Sequence, residues 1–419
     1  MLKKYRILKF ACYSAGLSMS VVANLSPLLF LTFRSLYGIS YSLLGLLVLI
    51  NFCTQLLVDL AFSFFSHKFN IPASVKMTPI LATVGLLIFA IWPWLFPGSV
   101  YVGLVIGTLI FSAASGFNEV LISPIIAEIP ADDPDREMSK LHSVFAWGSV
   151  AVVIISTVYI FLLGSENWQW LALGFCIIPI TSAILFAGSE IPKMKTPEKI
   201  SGVIDMLKNK TVWLCVFAIF LGGAAECTMS QWCSGYIEGA LGISKIWGDI
   251  FGVALFSLAL GFGRTLYSKI GKNVERVLLL GAIGATLCYL VAALSNVAAV
   301  GLVACAFTGF CVSMLWPGSL VVASDRISDG GVFIFALMAA GGDFGASVGP
   351  QLVGVITDVV MKSEAALDVA ERFSITVEQL GMKAGMLAGM LFPLIAVVIY
   401  FIIYNKSKKP SRGNFAPKA

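Results

Sequence analysis

The sequence predicts an all-α membrane protein with twelve transmembrane helices in two pseudo-symmetric six-helix halves. Three observations predict it. Of the 419 residues, 58% are hydrophobic and only 12% charged, about half the roughly 25% charge of a soluble domain. Apolar stretches of about 20 residues recur along the chain, each long enough to cross a bilayer as a helix. A frame also repeats: Gly116-Phe117 running to Pro124 returns as Gly309-Phe310 running to Pro317, followed by Asp132 and Asp325 at matching distances.

The spans fall near 8–33, 41–65, 77–96, 101–126, 140–163, 168–188, 211–236, 247–267, 276–296, 298–322, 333–359 and 382–404. Residues 189–210 hold two prolines and five lysines and form the longest internal polar stretch. They read as a linker between an N-terminal bundle (1–188) and a C-terminal bundle (211–404), with 405–419 as a tail. Within the linker, Asp205 to Lys210 is a candidate short helix. The halves correspond in order. Gly38-Ile39-Ser40 after span one matches Gly242-Ile243-Ser244 after span seven, and the Gly-Phe frame links spans four and ten. A duplication in the same order relates two halves by an axis along the membrane normal. Residues 361–381 are acidic and read as a solvated loop, with Ala365–Arg372 able to be helical.

Charge sets the expected topology. One set of loops and tails is rich in basic residues, from Lys3, Lys4 and Arg6 through Lys193 and Lys195 to the C-terminal cluster; the other holds only Arg34, Lys245, Lys362, Arg372 and Lys383. The positive-inside rule then puts both termini in the cytoplasm, in a bacterial inner membrane. Trp92, Trp94, Trp168, Trp170 and Trp247 fall at the outer ends and Trp213 at an inner end, as an aromatic belt requires. The net charge of +5 reflects this topology and gives no reason to expect a nucleic-acid partner; the bilayer and a small solute are the expected partners of a monomer. All nine cysteines lie within spans without metal-ligand spacing, so they read as packing residues.

Twelve spans, a six-plus-six duplication and a basic central linker resemble the major facilitator superfamily. Its loop signature between spans two and three is reduced here to His67-Lys68-Phe69-Asn70 and Ser268-Lys269-Ile270-Gly271, which keep the basic position without the aspartate. A closer likeness is to the fucose permease group of proton-coupled sugar symporters. Glu119 with Pro124 five residues on, Asn24-Leu25-Ser26-Pro27 in span one, and His142-Ser143 with Trp147-Gly148 in span five are similar to that group's motifs. Pro27 stands where the group has a span-one aspartate, which leaves Glu119 without that partner. The resemblance implies alternating access about a central site, driven by the proton gradient rather than a cofactor.

Glu119 is the leading candidate. An ionisable group within a span costs roughly 3 kcal/mol to insert and usually faces a cavity, where a carboxylate can carry a proton across; a structural carboxylate bonded to a neighbouring helix is the alternative. Val312 occupies its position in the second copy. Asp343, in the glycine-rich Gly341–Gly345 of span eleven, reads as a second proton-coupling group or as the cap of a helix break. Asp59 is a third, or a tie between helices. For substrate, Glu226, Gln231, Trp232 and Tyr236 of span seven resemble a sugar-binding face, with amide and carboxylate for hydroxyls and aromatics for C–H bonds; bridging between helices is the alternative. Asn24, Asn118, Trp147 and Trp316 join them as candidate cavity lining. Gln351 is weaker, and His142 reads as an interfacial histidine. Gly345 and Gly349 form a small-xxx-small pair that serves close packing or flexing equally well. Arg264 is placed at the inner end of span eight as an anchor or gate partner, and the absence of a mid-membrane base disfavours anionic solutes. No nucleotide-binding loop, nucleophile motif or metal cluster argues for an enzyme. The expectation is proton-coupled uptake of a small polar solute, most simply a sugar; the alternative is a proton-antiport exporter of drug-like or amphipathic compounds.

Overall fold

Proline and glycine punctuate the helices. Span one runs Arg6–Leu28, is interrupted at Leu29 just beyond Pro27, and resumes as Phe30–Tyr37. Proline lacks the amide that continues the ladder, and Leu29 instead donates to Ser26 and Pro27 carbonyls. Gly38 then ends the helix at φ 65°, and Gly242 adopts φ 68° just beyond span seven. Both copies of the Gly-Ile-Ser motif thus serve one end, a left-handed turn that glycine adopts without a Cβ penalty.

The computed structural model describes residues 5–65, 69–129, 134–192, 208–270, 273–327 and 331–408. Span two is Tyr41–Phe65, span three Ile71–Leu95, span four Val100–Glu128 and span five Pro134–Leu163. Span six is Trp168–Phe175 continued by Ile177–Ala187, and span seven is Lys210–Gly239. Span eight opens as Lys245–Gly248, passes through a π-helical turn at Asp249–Ala254 and continues as Leu255–Ile270. Span nine is Val274–Leu294; span ten is Ala298–Val312 and Leu315–Arg326; span eleven is Gly331–Met361. Span twelve is Val377–Gly389 continued by Leu391–Lys408. Among the described residues, eleven helices are long and apolar enough to cross a membrane, and the apolar part of span five, Trp147–Leu163, is a shorter twelfth. The protein is therefore a multi-pass membrane protein. Span three starts earlier than its hydropathy implies because the Asn70 side chain caps it. The acidic 361–381 stretch holds a surface helix, Glu364–Phe373, with only Ala366 and Ala370 buried. Most of the linker, including much of the candidate helix at 205–210, lies outside the described residues.

The repeat is also visible in the packing. A Cβ on Gly116 would meet Val58 and Gln55 of span two, and one on Gly309 would meet the Phe256 carbonyl of span eight. Each fourth helix of a half thus lies close against the second helix of that half. Of the belt tryptophans, Trp94, Trp170, Trp247 and Trp213 are exposed. Trp168 is not: it is fully buried against Phe33 and Phe89 and donates to Tyr37 Oη at 3.0 Å.

At the end of the bundle away from the termini, polar contacts seal the halves together. Asp358 of span eleven accepts from the Tyr41 amide (3.2 Å), the Ser42 amide (2.7 Å) and the Ser42 hydroxyl (2.5 Å). It caps the start of span two across the interface, satisfying amides that have no intrahelical partner. The second half reciprocates. Asp249, 1% exposed at the start of span eight, accepts from Thr157 of span five at 2.8 Å and pairs with Lys245 at 3.2 Å. Arg34 adds an ion pair to Glu378 at 2.8 Å and lies over the Tyr41 ring at 4.2 Å. Asp358→Asn weakens bonds worth about 1.5–3 kcal/mol each when charged. A spin-label pair at the exposed Leu36 and Leu367 is expected to gain a longer-distance population in that variant. An unchanged distribution would show that Asp358 does not hold this end shut.

Candidate proton and substrate site

Span four gathers its polar residues on one face. Thr108, Ser112, Ser115 and Glu119 recur at helical spacing, and the first three are buried. Glu119 is accessible to water although protein surrounds it closely. Span two supplies a facing ladder of Asn51, Gln55 and Asp59, one helical turn apart and all buried. Gln55 donates to Asn51 Oδ1 at 3.1 Å, and Ser112 Oγ donates to the same oxygen at 2.5 Å. Sequence reasoning missed Asn51 and Gln55. Their turn spacing with Asp59 was the available signal.

Span eleven brings Asp343 to this ladder. The helix is continuous through Gly341–Gly345, so Asp343 caps no break. Its carboxyl lies within hydrogen-bonding range of Asp59, and Glu119 stands close enough to both to act on them electrostatically. Asp59 Oδ1 and Asp343 Oδ2 are buried with no donor among the described residues. Two carboxyls in contact repel unless a proton lies between them. Three acids from both halves therefore form one carboxyl cluster, with Asp59 and Asp343 beside Glu119.

A second polar group adjoins the first. Arg264 Nη2 donates to both Glu226 oxygens, at 3.1 and 3.2 Å, and its Nε donates to the Ser313 carbonyl at 3.0 Å, beside the break in span ten. Arg264 lies on the helix face opposite the exposed Leu255, Leu258 and Phe262, so it points into the bundle. This corrects the reading that no base reaches mid-membrane. The backbone of Arg264 is near the inner end of span eight, but the long side chain extends back to Glu226, halfway along span seven. Glu226, Asp343 and Arg264 all lie within electrostatic reach of Cys227, which ties the two groups into one site.

The other candidates are placed as follows. Asn24 donates to Ser20 O (2.8 Å) and to Ser149 Oγ of span five (3.1 Å) and is half-buried. Asn118 is buried in span four. Trp316 packs its ring edge on Gly223 and Gly342 of spans seven and eleven, beside Asp343. Gln231, buried, donates to Ala23 O of span one at 3.4 Å. Trp232 and Tyr236 are about 1% exposed and committed elsewhere. Trp232 donates to Pro350 O (2.8 Å) and packs on Phe30 and Tyr41 in the sealed end, and Tyr236 donates to Ala292 O (2.8 Å). Trp147 is 66% exposed and shares a face with exposed Ile154, Ile155 and Val158, a stripe turned to lipid. Gln351 packs on Gly45 in the sealed end. The side chain of His142 lies outside the described residues. Among the described residues, no cluster of acids, cysteines and histidines is arranged to hold a metal ion.

The far end is sealed, while among the described residues spans four and five do not pack extensively on spans ten and eleven. Comparisons agree with this architecture. The chain is similar to a bacterial homologue of the human lysosomal transporter Spinster in an inward-facing, occupied conformation (TM-score 0.74, 13% identity, 98% of this chain and 99% of that one). It is similar to a D-xylose–proton symporter (0.70, 14%, 93% and 97%) and to the Escherichia coli fucose–proton symporter FucP (0.61, 14%, 97% and 100%). At these identities the likeness shows the fold alone. No curated protein matches the chain by sequence. The family model of the Major Facilitator Superfamily matches residues 11–358. The chain belongs to the major facilitator superfamily, and is a membrane transporter, a carrier rather than an enzyme.

Proposed function

We propose that the protein takes up a small polar solute, a sugar or related carbohydrate, together with protons. The single observation that carries this reading is the meeting of Asp59 and Glu119 from one half with Asp343 from the other. A proton held across the interface between two rocking halves is lost or gained as they separate, which couples protonation to alternating access. The basic residues on the termini side support a cytoplasmic location for both termini, which puts the sealed end on the outer face. The neighbouring sugar–proton symporters share the fold and lend the solute class by analogy. The test is uptake by reconstituted proteoliposomes from a panel of sugars under an imposed inward proton gradient. Uptake that collapses when a protonophore is added is the expected result; uptake indifferent to the gradient would overturn the coupling. A second reading, proton-driven export of a cationic amphiphile, draws on the excess of carboxyls over the single arginine in the site. Outward movement of amines in the same vesicles, with no sugar uptake, would favour it.

A further inference from the structure

Glu226 and Arg264 are placed as more than a structural brace. The Arg264 side chain is 43% exposed, against 15% for Glu226, and its helix face turns that exposure into the bundle. Its Nε is fixed by the Ser313 carbonyl, and Nη2 alone meets both oxygens of Glu226. Among the described residues, Nη1 makes no hydrogen bond. A guanidinium offers a planar fork that fits a carboxylate through two parallel bonds. Glu226 spends both oxygens on one nitrogen and leaves the outer edge of the fork open. The arginine is anchored, solvent-facing and only partly used.

We infer that the transported solute carries a carboxylate that docks on the open edge of Arg264 in place of Glu226: a hydroxylated monocarboxylate, of the sugar-acid class. This rests on the proposed uptake of a sugar-like solute and specifies it. Two carboxylates then compete for one guanidinium. The groups that face Glu226 are Arg264 from span eight and, around Cys227, Asp343 of span eleven, with Asp59 and Glu119 beside Asp343. Among the described residues, every ionisable group there apart from Arg264 is an acid or a thiol, so a displaced Glu226 takes a proton from solution. One proton then accompanies each solute anion, the guanidinium keeps one carboxylate partner throughout, and the cluster's net charge is unchanged on binding.

Calorimetric titration of the purified protein tests this with matched compounds: galactose, galacturonate and galactonate, then glucose, glucuronate and gluconate. At least one acid is expected to bind about tenfold or more tighter than its parent sugar, the worth of a charged bond, with one proton taken up as judged from two buffers of different ionisation enthalpy. Arg264→Lys should remove that preference, bringing the acid's affinity down to that of its parent sugar. Glu226→Gln should bind the acid more tightly and without proton uptake. Should Arg264→Lys fold poorly, the neutral-pair variant Glu226→Gln/Arg264→Gln serves instead, and wild-type affinity for the acid in that variant would overturn the inference. Binding of neutral sugars with no preference for acids would also overturn it while leaving sugar uptake standing. Failure of both compound classes to bind would end both readings.

Discussion

Glu119→Gln is expected to abolish proton-driven accumulation, by on the order of 100-fold, the usual scale for removing a positioned proton carrier. Counterflow of unlabelled for labelled solute, which needs no net proton movement, should survive in the same vesicles. The variant keeps the shape and hydrogen-bonding capacity of the side chain and removes only its ability to exchange a proton. Asp59→Asn and Asp343→Asn should act in the same direction but less strongly, because each leaves one member of the touching pair able to hold the proton. Their effects with Glu119→Gln should not add, since the three groups interact directly. Full proton-driven accumulation by Glu119→Gln would remove it from the coupling site and with it the reading built on the three acids.

Gly345→Leu is expected to cost the protein its folded state at ordinary temperatures. A Cβ at Gly345 would overlap the Phe220 carbonyl of span seven and come within 2.9 Å of the Ala224 amide. Both are backbone atoms, so the clash cannot be relieved by rotating a side chain; the helices must separate. Overpacking of a well-packed core costs about 1–3 kcal/mol, and more where backbone must move. Gly349 makes the same approach one turn on, against Thr228 and the Ala224 carbonyl. The small-xxx-small pair thus serves close packing of spans seven and eleven. Gly261→Leu is the control, since nothing lies within 4 Å of a Cβ built there. Thermal unfolding of the purified variants should separate them by many degrees, and equal melting would deny that this contact sustains the bundle.

Much of the architecture was legible in the chain because the bilayer imposes simple rules. Apolar length marks a span, and the paired glycines at 38 and 242 both take a left-handed turn at or just past a helix end, which glycine adopts without a Cβ penalty. The Gly-Phe frame likewise became a packing rule, each glycine admitting its half's second helix. Helix-face reasoning was less secure. Glu226, Gln231, Trp232 and Tyr236 lie close together in sequence, yet the structure commits Trp232 and Tyr236 to the sealed end and pairs Glu226 with Arg264. Spacing along one helix says which residues share a face, and nothing about which neighbour covers that face. The belt failed at Trp168 for the same reason: the ring turns inward onto Phe33 and Phe89.

The sequence by itself determined a membrane carrier of two repeated halves, with carboxylates, Glu119 first among them, where hydrocarbon belongs. Composition, span length and internal repetition are properties of the chain, and they survive without knowledge of any contact. Only the tertiary structure decided what Glu119 faces. Asp59 and Asp343 lie far from Glu119 and from each other in sequence, on helices from different halves, and Arg264 reaches Glu226 through the length of a side chain that no periodicity records. Partnership across helices depends on packing and on where long side chains extend, and those are settled only when the bundle has closed.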